Sequence, residues 1–314
     1  VSDPVRLTLA HSADADDVFM WWPITGKIHP RPPAHGGPHD VLSPPVLDTG
    51  RFRFVAVPED IQILNARAIE SADLDITALS FHAYARVASQ YRLTACGWSM
   101  GEGFGPKLVC RRDRARSLED LSGPAAGKPP RVAIPGMHTT AFMVLGLMLG
   151  GAQRFRPVPM RFDSILDAVA SGSVDAGLLI HEAQIDFERH GVHALADLGA
   201  WWGQATSGLP LPLGANALRR DLDQRFGPGA TAQVAGLLRA SIEHALANRA
   251  EGLAYARTFS PPISDADLDR YVSMYVSPLT VDPGARGLRA VRTLFERAAA
   301  AGLCQHPGTL DPVG

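Results

Sequence analysis

Cysteine is scarce. The 314 residues hold three, Cys96, Cys110 and Cys304, with no CxxC or other ligand-like spacing. That argues against a disulfide framework and for reduced thiols in a cytosolic protein. Long apolar runs are missing too: the longest, near Ala141–Leu149, is far too short to span a bilayer. Charge of one sign is not in excess. Thirty basic and 32 acidic side chains leave a net charge of −2, so no electrostatic footprint for nucleic acid or an acidic membrane exists. No basic start with an apolar core and cleavage site precedes the strand-like Val5–Ala10, so no signal peptide is expected.

What is present fits a soluble α/β protein. Hydrophobic residues make up 46% of a chain long enough for two modest domains. Phe52–Val57 alternates as a strand, and Glu59–Glu70 places Ile61, Leu64 and Ala68 at helical spacing. Leu74–Leu79 is a strand that ends at Ser80, and a helix starts after it. Ser164–Phe187 repeats this layout: helix, small-residue turn, Asp, apolar strand (Ala176–Ile180), polar tip, helix. Asp75 matches Asp175, and Ser80 matches the region of His181. Two α/β halves built alike are therefore expected.

The chemistry-bearing residues cluster at strand ends, where ligands bind in open α/β sheets. His181 follows an apolar strand and titrates near neutral pH, so it reads either as a base or as a strand cap. Glu182 beside it is expected to point to the opposite face. Thr139 and Thr140 start an apolar helix after the strand Arg131–Pro135. They are either an anion site or plain N-caps. His11, Asp14, Asp16 and Asp17 make a polar turn; such a cluster can bind metal, but the aspartates better suit the start of a helix running through Val18–Trp22, where they would cap amides. His29–Gly50 is rich in proline and glycine and reads as a surface excursion. His29, His35 and His39 in it lack fixed ligand spacing, and no metal site is expected. Gly97–Pro106, GWSMGEGFGP, is neither a GxGxxG fingerprint nor a P-loop, and reads as a flexible crossover. Trp201–Leu218 is a second crossover, whose tryptophans stack on a flat ring or plug a core. Beyond Arg219 the chain is mostly helical: Ala232–Ala247, Ser264–Met274 and Gly287–Ala301.

The runs HSADADDVFM, DIQILNARAIE, DITALSFHAY, SMGEGFGP, IPGMHTTA, IHEAQIDF, LGAWWGQATSGLPLPLGANALRRDL and YVSPLTVDPGARGLRAV together resemble the 1,4-dihydroxy-6-naphthoate synthase family. The resemblance runs in order from about residue 5 to about residue 300. It implies a two-lobed fold like a type II periplasmic binding protein, with a ligand cleft between the lobes. It implies a carbon–carbon lyase of the futalosine route to menaquinone, which cleaves cyclic dehypoxanthinyl futalosine and releases a three-carbon fragment. It implies His181 as proton acceptor, Thr139 and Thr140 as substrate-binding, and Ala78, Leu79 and Ser80 as a substrate-binding strand tip. Relatives often have SPCPNDTF-like residues where this chain has HSADADDVF, and lysine where it has Ala78.

The expected architecture is lobe one from 1–106 and 213–314, and lobe two from 107–212. Ser99 and Gly103 are expected to contact substrate from the glycine-rich crossover. The expected partner is a small aromatic carboxylate, with no nucleic acid, membrane, metal or organic cofactor involved. Chorismate dehydratase, a sister enzyme, and a non-catalytic solute-binding protein are the alternatives. Monomer and homodimer both remain open.

Overall fold

The computed structural model describes residues 3–31, 38–122 and 128–314. Its strands, in chain order, are β1 (Val5–Ser12), β2 (Lys27–Ile28), β3 (Val41–Ser43), β4 (Phe52–Glu59), β5 (Ile76–Ser80), β6 (Tyr91–Leu93), β7 (Ser99–Gly101), β8 (Lys107–Arg111), β9 (Arg131–Ile134), β10 (Arg156–Pro159), β11 (Ala176–Leu179), β12 (Val192–Asp197) and β13 (Leu211–Arg219). They form two main sheets, β4-β1-β5-β13-β6 with β7 branching from β13, and β10-β9-β11-β8-β12.

The sheets share one plan. In each, three parallel strands are followed by an antiparallel fourth: β13 beside β5, and β8 beside β11. The central strands β5 and β11 are buried at every residue, and β11 reads as an unbroken apolar run. At its start the edge strand β4 buries Phe52, Phe54 and Ala56 and turns the residues between them outward, which gives the alternation seen in the sequence.

The repeated aspartates do the same work in both sheets. Asp75, just before β5, accepts the Thr8 amide of β1 through Oδ2 at 2.9 Å. Asp175, just before β11, accepts the Arg131 amide of β9 through Oδ2 at 2.8 Å. Each carboxylate ties the start of a central strand to its parallel neighbour. Asp75 also takes the Thr8 hydroxyl and the Arg225 guanidinium. Asp175 pairs with Arg114 and Arg131.

The chain divides into two compact units, residues 1–99, 214–284 and 307–314 in the first, and 100–213 and 285–306 in the second. The expected division gave all of 213–314 to lobe one; here 285–306 fall in the second unit. The helix Gly284–Ala300 buries Gly287, Ala290, Val291, Leu294, Phe295 and Ala298 along one stripe. Arginines of the same helix have partners in the second unit. Arg297 lies over the Trp202 ring and donates to the Ala205 carbonyl, and Arg286 bonds Glu102 and the Gly208 carbonyl. The last residues return to the first unit, where Val313 bridges Thr94 and Asp311 pairs with Arg220.

The proline-rich excursion is not wholly irregular, because β3 pairs with β2 at its base. His39 Nδ1 bonds the His29 carbonyl at 2.7 Å, while His35 lies outside the described residues. No helix among the described residues is long and apolar enough to cross a membrane.

The Asp175 bonds make a pH prediction. Burial opposes ionisation of Asp175, but the Arg131 amide and the Arg114 and Arg131 guanidiniums outweigh it and hold the carboxyl below the usual aspartate value. A carboxyl with a lowered native pKa stabilises above its unfolded pKa, and that stability is lost as pH falls through the native value. Asp175→Ala should therefore cost about 1–3 kcal/mol in urea unfolding at pH 7. The gap to wild type should narrow as the pH falls through that lowered native value. A gap unchanged in acid would show that the carboxylate's charge is not what holds the strand.

Candidate functional site

In the first unit, β1 ends at His11 and Ser12 and leads into the helix Ala15–Thr25. The expected capping by aspartate is corrected here. Asp14 occupies the N-cap with extended backbone but makes no side-chain cap bond. Asp17 instead accepts the Ser12 amide at 2.6 Å, and Asp16 accepts the Tyr271 hydroxyl at 2.8 Å. All three acids are buried. Such a helix start, already rich in carboxylate, disfavours a ligand anion. His11 donates from Nδ1 to the Ser12 carbonyl, which fixes its tautomer. Burial lowers its pKa to about 4, against the raising effects of that bond and of Asp14.

At the tip of β5, Ala78 and Leu79 are core residues. Ala78 packs with Ala10, Leu64 and Leu74, so of the three expected contacts only Ser80 presents a polar side chain. Ser80 is 5% exposed and stands at the N-cap of the helix Phe81–Val87 without capping it. Its partner is Asn65, fully buried on the helix Ile61–Glu70. Asn65 Nδ2 donates to Ser80 Oγ, and Ser80 N–H donates to Asn65 Oδ1, both at 3.0 Å. The sequence reading passed over Asn65. The missed signal was a polar residue on the apolar stripe Ile61, Leu64, Asn65, Ala68.

In the second unit, Thr139 is the N-cap of the helix Thr140–Leu149. Its Oγ1 accepts the Phe142 amide at 3.3 Å and donates to the Gly136 carbonyl at 2.8 Å. Thr140 Oγ1 donates to the Leu213 carbonyl at 2.5 Å. The Thr139 hydroxyl thus orders the turn, and the Thr140 hydroxyl ties the helix start to β13. The Ala141 amide has no acceptor among the described residues, and the first turn carries no charged side chain.

β11 stops at Leu179, one residue short of the expected end, so His181 is not on the strand. It adopts φ 55°, the left-handed region that non-glycine residues rarely enter. Its carbonyl accepts both the backbone and side-chain N–H of Gln184, each at 3.2 Å, which holds this backbone in place. Its ring meets Phe162 edge-on at 4.6 Å. Glu182 has helical backbone and is 3% exposed, so strand alternation does not set its direction.

The glycine-rich run is a packed seam rather than a loose crossover. A Cβ on Gly105 would meet the Gly199 amide at 2.8 Å, and one on Gly199 would meet the Phe104 carbonyl at 1.9 Å. Gly103 is an exposed turn glycine with φ 79°, and Ser99 is half-buried in β7. Trp202 is a core residue whose Nε1 donates to the Pro210 carbonyl. The three cysteines are free, and burial raises each thiol, Cys96 to about 12, so none is a thiolate at neutral pH.

A family model described as menaquinone biosynthesis matches residues 7–300. The chain belongs to the menaquinone-biosynthesis family. It is 43% identical to a Thermus thermophilus protein named 1,4-dihydroxy-6-naphthoate synthase, over 79% of this chain and 84% of that one. It is 36% identical to a Streptomyces coelicolor protein of the same name, over 78% and 82%. Among solved structures, a protein from Archaeoglobus fulgidus matches with TM-score 0.77 at 35% identity, covering 95% and 98% of the two chains. The alkanesulfonate-binding protein of Xanthomonas axonopodis matches with TM-score 0.65 at 14% identity over 99% and 98%. A Candida albicans protein with the generic periplasmic-binding-protein fold matches at 0.60 and 12% identity, over 99% of each chain. This menaquinone-biosynthesis enzyme thus has the periplasmic-binding-protein fold.

Two outcomes follow for this enzyme. Between pH 6.5 and about 4 the unfolded chain binds a proton at His11 that the native state refuses, so stability is lost as pH falls through that window. The loss attributable to His11 is about 3 kcal/mol, and His11→Asn should flatten the stability–pH curve by that much in calorimetry. At position 181, both His181→Gly and His181→Ala remove the imidazole. The glycine variant should be more stable by about 0.5–1 kcal/mol, because only glycine takes φ 55° without penalty.

Proposed function

We propose that this enzyme of menaquinone biosynthesis cleaves cyclic dehypoxanthinyl futalosine to 1,4-dihydroxy-6-naphthoate and a three-carbon fragment, with His181 as general base. The observation that carries the base assignment is the left-handed backbone of His181. A strained conformation fixed by surrounding bonds is typical of residues kept for chemistry.

In this reading each side chain takes a role that its surroundings support. The helix start at Thr139 and Thr140 holds the aryl carboxylate through main-chain N–H groups, the two hydroxyls holding the turn and the helix start in place. Ser80 contacts the sugar-derived ring, with Ser99 and the Gly103 turn as further contacts. His181, as the neutral imidazole, takes a proton from a substrate hydroxyl. The adjacent carbon–carbon bond then breaks in the retro-aldol sense, and its electron pair passes into a conjugated carbonyl. Aromatisation of the naphthalenoid ring draws the reaction forward. The reading needs no metal or organic cofactor, and it places the enzyme in the cytoplasm, with reduced thiols.

Chorismate dehydration and simple solute binding are the rivals. Two relatives named for the synthase favour the first reading over both. Incubating the purified protein with chorismate and with the cyclic futalosine derivative separates all three. Naphthoate formation from the latter alone is expected, and both compounds returning unchanged would overturn the enzyme reading. His181→Ala should lower kcat by about 10²-fold or more with KM nearly unchanged. Turnover close to wild type would make His181 a bystander.

A further inference from the structure

We propose that Asn65 is a positioning residue that sets the Ser80 hydroxyl as a hydrogen-bond donor toward an acceptor oxygen of the substrate. This rests on the reading of Ser80 as a substrate contact and adds the polarity of that contact. The argument begins with a cost. Asn65 is 0% exposed and lies on the apolar stripe of its helix, where leucine or alanine would pack without a polar group to satisfy. Its amide makes a two-point clamp on a single residue, Ser80.

The clamp has one workable orientation. Ser80 N–H can only donate, so the Asn65 oxygen must face it. The Asn65 nitrogen then necessarily faces Ser80 Oγ. A flipped amide would set N–H against N–H, so the usual ambiguity of asparagine is removed by the backbone. Ser80 Oγ is thereby an acceptor toward Asn65, and its own proton points elsewhere. That proton has no acceptor among the described residues, although Ser80 as a whole is only 5% exposed. The other use of such a serine, capping the helix Phe81–Val87, is not made. A buried hydroxyl denied its local acceptor and fixed from behind by a donor is complementary to a carboxylate, carbonyl or ether oxygen, not to a hydroxyl proton.

Asn65→Asp tests this with almost no change in shape. The carboxylate still accepts the Ser80 amide, but its second oxygen accepts the Ser80 proton and turns the hydroxyl inward. Asn65→Asp, Ser80→Ala and the double variant are compared with wild type by steady-state kinetics on the cyclic futalosine derivative. Thermal melts confirm folding. Ser80→Ala and Asn65→Asp should each raise KM roughly 10-fold with kcat within about threefold, one lost hydrogen bond being worth about that factor. In the Ser80→Ala background, Asn65→Asp should add less than about twofold. Equal effects of Asn65→Asp in both backgrounds would mean a merely structural Asn65 and overturn the proposal. If Asn65→Asp does not fold, Asn65→Ala is carried through the same cycle, with a smaller KM rise that again vanishes in the Ser80→Ala background. An unchanged KM in Ser80→Ala would remove Ser80 as a contact and the proposal with it. Absence of wild-type turnover would instead sink the functional reading.

Discussion

Each sheet is registered by one carboxylate. Asp75 and Asp175 grip the amide of the neighbouring parallel strand just before the central strand begins. Side chains alternate along a strand, so a slip of one residue would exchange the buried and exposed sets. A fixed start therefore fixes what arrives at the far end. Five residues beyond Asp75 the chain reaches Ser80, and six beyond Asp175 it reaches His181. The polar residues at the tips depend on bonds made at the opposite end of the sheet. This is why aspartates remote from any chemistry recur in both halves of the sequence.

The two units use the same scaffold for opposite electrostatics. After the first strand of each parallel trio comes a helix. In the first unit its start carries Asp14, Asp16 and Asp17, and in the second it carries Thr139 and Thr140. A helix N-terminus favours anions, and only the second start leaves that preference intact. The first start spends it on its own carboxylates, one of which holds the Ser12 amide and another the Tyr271 hydroxyl. Of the two starts, the second is thus the one that suits an anionic group.

Much of this was legible before the coordinates. Apolar runs flanked by small residues located the central strands, and the repeated Asp-strand-polar layout foretold two sheets of one plan. The errors share a cause, because periodicity reports burial but not what a segment packs against. The helix Gly284–Ala300 was recognised as amphipathic, yet its stripe belongs to the second unit, which no spacing reveals. Gly97–Pro106 looked loose because glycine is permissive, whereas Gly105 and Gly199 are small because backbone passes against backbone. Asn65 was invisible as a participant because a polar residue on an apolar stripe reads as noise until its partner is known. The left-handed turn at His181 has no signature, since histidine there is allowed but not required.

Three energetic costs of the structure lie at or against the strand tips. His181 occupies a backbone region that costs about 1–2 kcal/mol. His11 is buried so deeply that it stays neutral down to a pH of about 4. Asn65 places an amide where a hydrocarbon would serve the core better. The opposite ends of the same strands follow the rules of stability: exposed or half-exposed ion pairs, and carboxylates that cap amides. Costs also fall elsewhere, at the left-handed Ala72 before β5 and at the buried, unpartnered Oδ1 of Asn216 within β13, so a cost alone does not mark a site. At His181 the strain coincides with the end of a central strand, which is where ligands bind in open α/β sheets.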